Sequence, residues 1–189
     1  MRPVKLVLEG LRSYRGKTEI DFTDLSLFAL IGDTGAGKSS IIEALCLALY
    51  GGTTWSGRNV VELMSDATDR MAVEFTFTAD GDTWTVTRAH RRAGGAATHK
   101  LTSDGGEKVD GADAVNRRVQ QVLGLTKDQF LRAVVMPQGS FEKLLKATPG
   151  ERTDILKGIF RLQALDAVRT QVGMITGRWK VPIAELQGE

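Results

Sequence analysis

Between residues 32 and 39 the chain reads Gly32-Asp33-Thr34-Gly35-Ala36-Gly37-Lys38-Ser39, meeting the pattern G-x-x-x-x-G-K-[ST] at every fixed position. The spacing follows from the chemistry of gripping phosphate. Glycines let the backbone curl so that successive N–H groups point inward at a β-phosphate. Lys38 places a positive charge between β- and γ-phosphates, and the Ser39 hydroxyl offers a ligand to Mg²⁺. A helix opening at Lys38 adds its positive N-terminal end to the same anion. The motif is expected between a strand and a helix, so the residues on either side bear on it.

The flanking sequence supplies both. Leu25–Ile31 is a short continuous apolar run, the pattern of a strand buried on both faces. Lys38–Tyr50 is apolar almost all round, as a buried helix is, and Gly51-Gly52 stops it. Lys5–Glu9 and Lys17–Phe22 read as strands joined through Arg12-Ser13-Tyr14-Arg15-Gly16. Met71–Thr78 and Thr83–Arg92 alternate on either side of Asp80-Gly81, a hairpin signal. A second turn lies at Asp104-Gly105-Gly106. Asp113–Leu123 carries Val115, Val119, Val122 and Leu123 on one helical face and ends at Gly124. Thr126 and Gln129 form a capping-box pattern before a short helix. Ala133–Met136 reads as a strand broken by Pro137-Gln138-Gly139. Thr148, Pro149 and Glu151 open a last helix, whose stripe Ile155, Ile159, Leu162, Leu165, Val168, Val172 and Ile175 is compatible with the foot of a coiled coil.

With 189 residues there is room for one domain and an appendage. Lys+Arg is 25 against 23 for Asp+Glu, a net charge of +2 that neither demands nor excludes nucleic acid. One cysteine and two histidines make neither an internal disulfide nor a zinc site, which points to a reducing, cytoplasmic setting. No apolar run reaches membrane-spanning length. A hydrolytic phosphate-loop protein usually also has a strand of four apolar residues ending in acids. Met71-Ala-Val-Glu74 is the nearest match, but it belongs to an alternating hairpin. These residues grip phosphate without the parts that finish a hydrolysis.

The segment Phe28–Gly51, running Phe-Ala-Leu-Ile-Gly-Asp-Thr-Gly-Ala-Gly-Lys-Ser-Ser-Ile-Ile-Glu-Ala-Leu-Cys-Leu-Ala-Leu-Tyr-Gly, resembles the phosphate loop and first helix of the SbcC family. Those are ATPase subunits of bacterial DNA exonuclease complexes and are related to SMC proteins. Val134–Arg152, with Pro137-Gln138-Gly139, resembles that family's Q-loop and following helix, and Gly10–Tyr14 its N-terminal strand-loop. The likeness runs from about Val4 to Phe160. It implies an α/β fold, the N-terminal half of an ABC-type, SMC-like P-loop NTPase head with β-hairpins and the start of a coiled-coil helix. Residues 1–160 would be the ATPase lobe and 161–189 the start of the coil.

The resemblance further implies that ATP with Mg²⁺ sits on Gly32, Asp33, Thr34, Gly35, Ala36, Gly37, Lys38, Ser39 and Ser40. Gln138 would contact Mg²⁺ and the attacking water, and Arg12, with Ser13 beside it, would reach the phosphates. Lys38 and Gln138 are thus the catalytic expectations, and Ser39 and Gln138 the metal ligands. The acidic strand, signature loop and switch histidine belong to a C-terminal lobe outside these residues. Ser103–Glu107 superficially matches a signature loop but lies between two short polar strands and reads as a turn. The implied partners are that C-terminal lobe, an SbcD-type nuclease subunit, a second head in an ATP-bound dimer, and DNA, with no membrane. Two departures stand out: Arg161-Leu-Gln-Ala-Leu-Asp166 fits the family loosely, and Pro182 stands where a coil would continue.

Two readings of other classes compete, a non-catalytic scaffold using ATP as a structural ligand and a self-contained small-molecule kinase. No arginine-bearing lid or acceptor site supports the kinase. Between Thr83 and Ser103 lie Arg88, Arg91, Arg92, Lys100, His90 and His99 with no acid. Arg88, His90 and Arg92 share a strand face, so DNA-phosphate contact competes there with a charge-protected solvated edge, and the edge is the preferred reading. Trp55 and Trp84 are read as packing residues, and Cys46 as an inert buried thiol.

Overall fold

The computed structural model describes residues 1–54, 59–133, 148–150, 171, 172 and 174. The chain divides into two units, residues 1–127 and 128–189. In the first, β1 (Arg2–Glu9), β2 (Thr18–Asp21), β3 (Arg70–Ala79), β4 (Asp82–Arg91), β5 (Thr98–Ser103) and β6 (Lys108–Asp110) form one sheet. Its order is β2-β1-β3-β4-β5-β6, and every pairing is antiparallel. Between β2 and β3 the chain leaves the sheet to build the phosphate loop and α1 (Lys38–Tyr50). Helix α2 (Ala112–Leu123) follows β6, and α3 (Lys127–Ala133) follows α2.

Alternation sorts the strand side chains onto two faces. Leu6 stands beside Phe75, Phe75 beside Val86 and Val86 beside Leu101, and all four are at most 1% exposed. Burying a side chain of this size contributes about 1.5–3 kcal/mol. Helix α1 covers this face over β3 and β4, and α2 covers it over β5 and β6. The opposite face carries Thr76, Thr78, Thr85, Thr87 and Thr102, β-branched residues suited to a half-buried pleat. The Thr76 and Thr85 hydroxyls lie 3.1 Å apart across the β3–β4 pair. Trp84 is core, as expected, with the Arg118 guanidinium 5.1 Å over its ring.

Helix α1 occupies the residues its sequence predicts, and Cys46–Tyr50 are all buried. Burial pushes the Cys46 thiol up to about 11, consistent with an inert group. The Asp80-Gly81 turn is in place, both residues having positive φ.

Leu25–Ile31 departs from expectation. It forms no strand, and Leu27 and Ile31 are 88% and 94% exposed. An apolar strand needs neighbours on both edges, and the described residues offer it none. Phe28 does find an aromatic contact, its ring 4.9 Å from that of Phe22. Ala133 is the last residue of α3, so no strand begins there. The rest of that expected strand, and Trp55, lie outside the described residues. Thr148 precedes helical Pro149 and Gly150, as its capping pattern predicts, and Val172 of the apolar stripe is helical.

Candidate nucleotide site

The loop leading into α1 is shaped by close contact with a turn. Leu11 and Tyr14 exchange backbone hydrogen bonds of 3.0 and 2.8 Å, closing a tight turn over Arg12 and Ser13. The turn sets the Tyr14 ring against Gly37, where an added Cβ would lie 2.9 Å from a ring carbon. Gly37 also has φ 97°, so only glycine fits on both counts. Ser13 Oγ donates to the Gly35 carbonyl at 3.3 Å, joining the same turn to the loop.

Lys38 Nζ donates to the carbonyls of Gly32 and Asp33 at 2.6 and 2.7 Å. Its ammonium is thereby folded back over the loop rather than spread into solvent. No side chain caps α1 at Gly37, and its first turn holds no acid. The leading N–H groups of this helix end are therefore available to an anion. Ser39 lies on the first turn, whereas Ser40 is buried and its N–H bonds to the Gly37 carbonyl at 2.9 Å. Gly32, Asp33, Thr34, Gly35 and Ala36 are exposed, with Ala36 N–H held on the Asp33 carbonyl at 3.1 Å. A cationic side chain, a free helix end and a hard hydroxyl oxygen converge, a donor set that fits a metal-chelated polyphosphate.

Ser13 thus touches the loop, and Arg12 precedes it on the same turn. Arg12 has φ 46°, its N–H bonds to the Leu63 carbonyl at 2.8 Å, and its Nε is buried without a partner among the described residues. Gln138 lies outside the described residues.

The basic segment Thr83–Ser103 is corrected. Strand β4 is interior, paired on both sides, and Arg88 is 0% exposed. Arg88 can neither touch DNA nor guard an edge. Its parity with Trp84 and Val86 on β4 turns it inward, a signal present in the alternation itself. Arg92 reaches back to the Ser65 carbonyl at 2.9 Å. Of the four basic residues, Arg91, Arg92 and Lys100 remain exposed.

Sequence reasoning also passes over Glu43. It is 3% exposed on α1 and accepts from both the backbone N–H, at 2.9 Å, and the hydroxyl of Thr54. A lone acid in an otherwise apolar helix is the available sign, and its role is to hold the chain leaving Gly51-Gly52.

A family model described as "AAA domain" matches residues 5–170. The chain belongs to this family. Among curated relatives, the AAA-domain chain is 37% identical over 87% of its length to the SbcC component of the nuclease SbcCD from Deinococcus radiodurans, covering 19% of that protein. It is 36% identical over 86% of its length to the same component from Bacillus subtilis, covering 16% of it. With "Probable DNA double-strand break repair Rad50 ATPase" of Aquifex aeolicus it shares 33% identity over 89% of its length, and 17% of that relative is covered. The AAA-domain chain therefore spans less than a fifth of the length of these relatives. A solved structure, "SMC head domain from Thermotoga maritima", aligns with a TM-score of 0.45 and 28% identity, covering 62% of this chain and 42% of that one.

Proposed function

We propose that these residues are the ATP-binding lobe of an SbcC-type ATPase that, with a partner nuclease, processes DNA ends in repair and recombination. The observation that carries the reading is the uncapped N-terminus of α1 with Lys38 Nζ folded over the loop that precedes it. In this reading ATP binds along Gly32–Ser40 with its β- and γ-phosphates against Lys38. Ser39 and Gln138 would hold Mg²⁺, which when bound neutralises phosphate charge. Arg12 and Ser13 flank the phosphates from the Leu11–Tyr14 turn. Gln138 would also orient the attacking water.

The relatives' names and the domain family support ATPase chemistry, and the exposed run Leu25–Ile31 supports a second lobe. That lobe would lay its strand against the run and supply the acidic residues absent here. Two heads would then clamp two nucleotides and gate the access of DNA to an SbcD-type nuclease subunit. No described helix is long and apolar enough to cross a membrane. The buried single cysteine fits a reducing, cytoplasmic compartment.

The test is turnover. The 189-residue chain should bind adenine nucleotide weakly and hydrolyse essentially none, and adding the C-terminal lobe should restore hydrolysis. Robust Lys38-dependent hydrolysis by the chain alone would refute this division of labour. Unchanged ATP affinity after Lys38→Ala would refute the site.

A further inference from the structure

The last carbonyls of a helix have no intrahelical partner and must find donors elsewhere. At the C-terminal end of α1 the Gly51 N–H takes the Leu47 carbonyl at 2.8 Å. The next two carbonyls are both taken by one side chain from the sheet: Arg88 Nε donates to Ala48 at 2.7 Å and an Nη to Leu49 at 3.3 Å. The same Nη donates to Asn116 Oδ1 of α2 at 2.6 Å, and the other lies 3.0 Å from His99 Nδ1 on β5. No carboxylate is among these hydrogen-bond partners. The cation is held by carbonyl dipoles and by the negative end of the helix. It remains charged at neutral pH, although burial lowers it to about 10.

The sequence is built around this contact. A Cβ at Gly51 would lie 2.8 Å from an Arg88 Nη, and Gly51 has φ 65°. A non-glycine residue there would displace the guanidinium and strain the helix cap together. Arg88 thus ties α1, β4, β5 and α2 at one point, at the far end of the helix whose other end carries the phosphate loop. At about 1.5 Å per residue, the two ends are about 18 Å apart.

We propose that Arg88 is a positioning residue for nucleotide binding. By fixing the C-terminal end of α1 to the sheet, it sets where the helix presents its N-terminus and Lys38 to phosphate. This rests on the phosphate-site reading above and adds a determinant that does not touch the ligand. A residue that only filled the core could be exchanged for an apolar one of similar length. A clamp could not, because its work is done by donors aimed at two specific carbonyls.

Three variants of the full 189-residue chain separate these roles. Arg88→Met keeps bulk and removes the donors. Arg88→Lys keeps a charge but puts every donor on a single nitrogen. Asn116→Ala removes only the acceptor that orients the guanidinium, and it sits half-buried on α2, so the fold should tolerate it. MgADP affinity is measured by calorimetry well below each melting temperature, and amide exchange is followed along α1 and β3. Arg88→Met should weaken MgADP about five- to twentyfold, with Arg88→Lys recovering part of that and Asn116→Ala losing about twofold. Exchange should accelerate in the last turn of α1 more than in β3. Should Arg88→Met not fold, Arg88→Lys and Asn116→Ala decide by the same two measurements. Wild-type affinity in the folded variants, or an equal loss of protection across α1 and β3, would overturn the proposal. Should the wild-type chain bind no MgADP, the phosphate-site reading fails by itself and the positioning role falls with it. Exchange in the last turn of α1 would then report only whether the clamp anchors the helix.

Discussion

The two ends of α1 are finished in opposite ways. At Gly37 no side chain caps the helix, the surrounding loop is exposed, and the nearest cation is bonded to the loop's own carbonyls. At Gly51 the Leu47, Ala48 and Leu49 carbonyls each have a donor, Cys46–Tyr50 are all buried, and an arginine enters from a central strand. Capping is normally a stability device worth about 1 kcal/mol. Under the proposed nucleotide site, its omission at one end and completion at the other divides the helix into a binding half and an anchored half. Binding phosphate requires unsatisfied donors, and unsatisfied donors are tolerated only where the rest of the helix is held by other means.

Substitutions should respect this division. Leu47, fully buried in the anchored half, should be the most damaging to truncate. Leu47→Ala should cost about 2–5 kcal/mol of stability in a denaturant titration, since it leaves a cavity the surrounding helix and sheet cannot close. A loss below about 1 kcal/mol would mean that α1 is not anchored as described. In the binding half the pattern reverses. Lys38→Ala should leave the nucleotide-free melting temperature unchanged while removing about 1.5–3 kcal/mol of binding free energy, the worth of a charge-assisted contact. A fall in melting temperature matching that for Leu47→Ala would erase the distinction.

A smaller effect should follow pH. Burial, and then the neighbouring Arg88, hold His90 and His99 below the usual imidazole value of about 6.5. The unfolded chain therefore binds these protons first as pH falls. Stability is full above about 6.5 and declines as pH drops through that value toward the folded-state ones. Melting temperatures recorded from about pH 8 to about pH 5 should fall in the lower part of that range, and His99→Gln should flatten the decline. A profile that rises toward the acid end would contradict the packing around Arg88. The smallest effect is kinetic: Cys46 should be inert to a thiol reagent at about pH 8 in the folded chain and react fully on unfolding. Reaction in the folded chain as fast as in the unfolded one would place the anchored half in solvent.

Much of this is legible in the residues. The phosphate motif and Gly51 bracket α1 at its observed bounds, because both ends are set by local backbone chemistry. The β3–β4 hairpin follows from alternation about Asp80-Gly81 for the same reason. Arg88 defeats the rule that charge marks exposure, although its spacing from Trp84 and Val86 already turns it toward the core. What overrides the usual preference is a supply of orphaned helix carbonyls, which belong to a different segment and leave no trace near residue 88. Leu25–Ile31 fails in the other direction. Its composition is that of a buried strand, but burial is a property of a pair, and the described residues contain one member. The Ser13 contact with Gly35 likewise joins positions 22 residues apart, so periodicity can place each loop but not their meeting.

The open run has a consequence for handling the chain. Leu25-Ser26-Leu27-Phe28-Ala29-Leu30-Ile31 contains no charge, proline or glycine, and it stands exposed between Asp24 and Asp33. Seven exposed residues of this composition favour association between copies, with the two aspartates as flanking gatekeepers. The segment's tendency to associate is separate from the stability of the sheet, because its side chains are exposed in the folded chain. A lysine at Leu27 should raise the concentration at which the chain remains dispersed without shifting its unfolding midpoint, because the side chain it replaces is already in water.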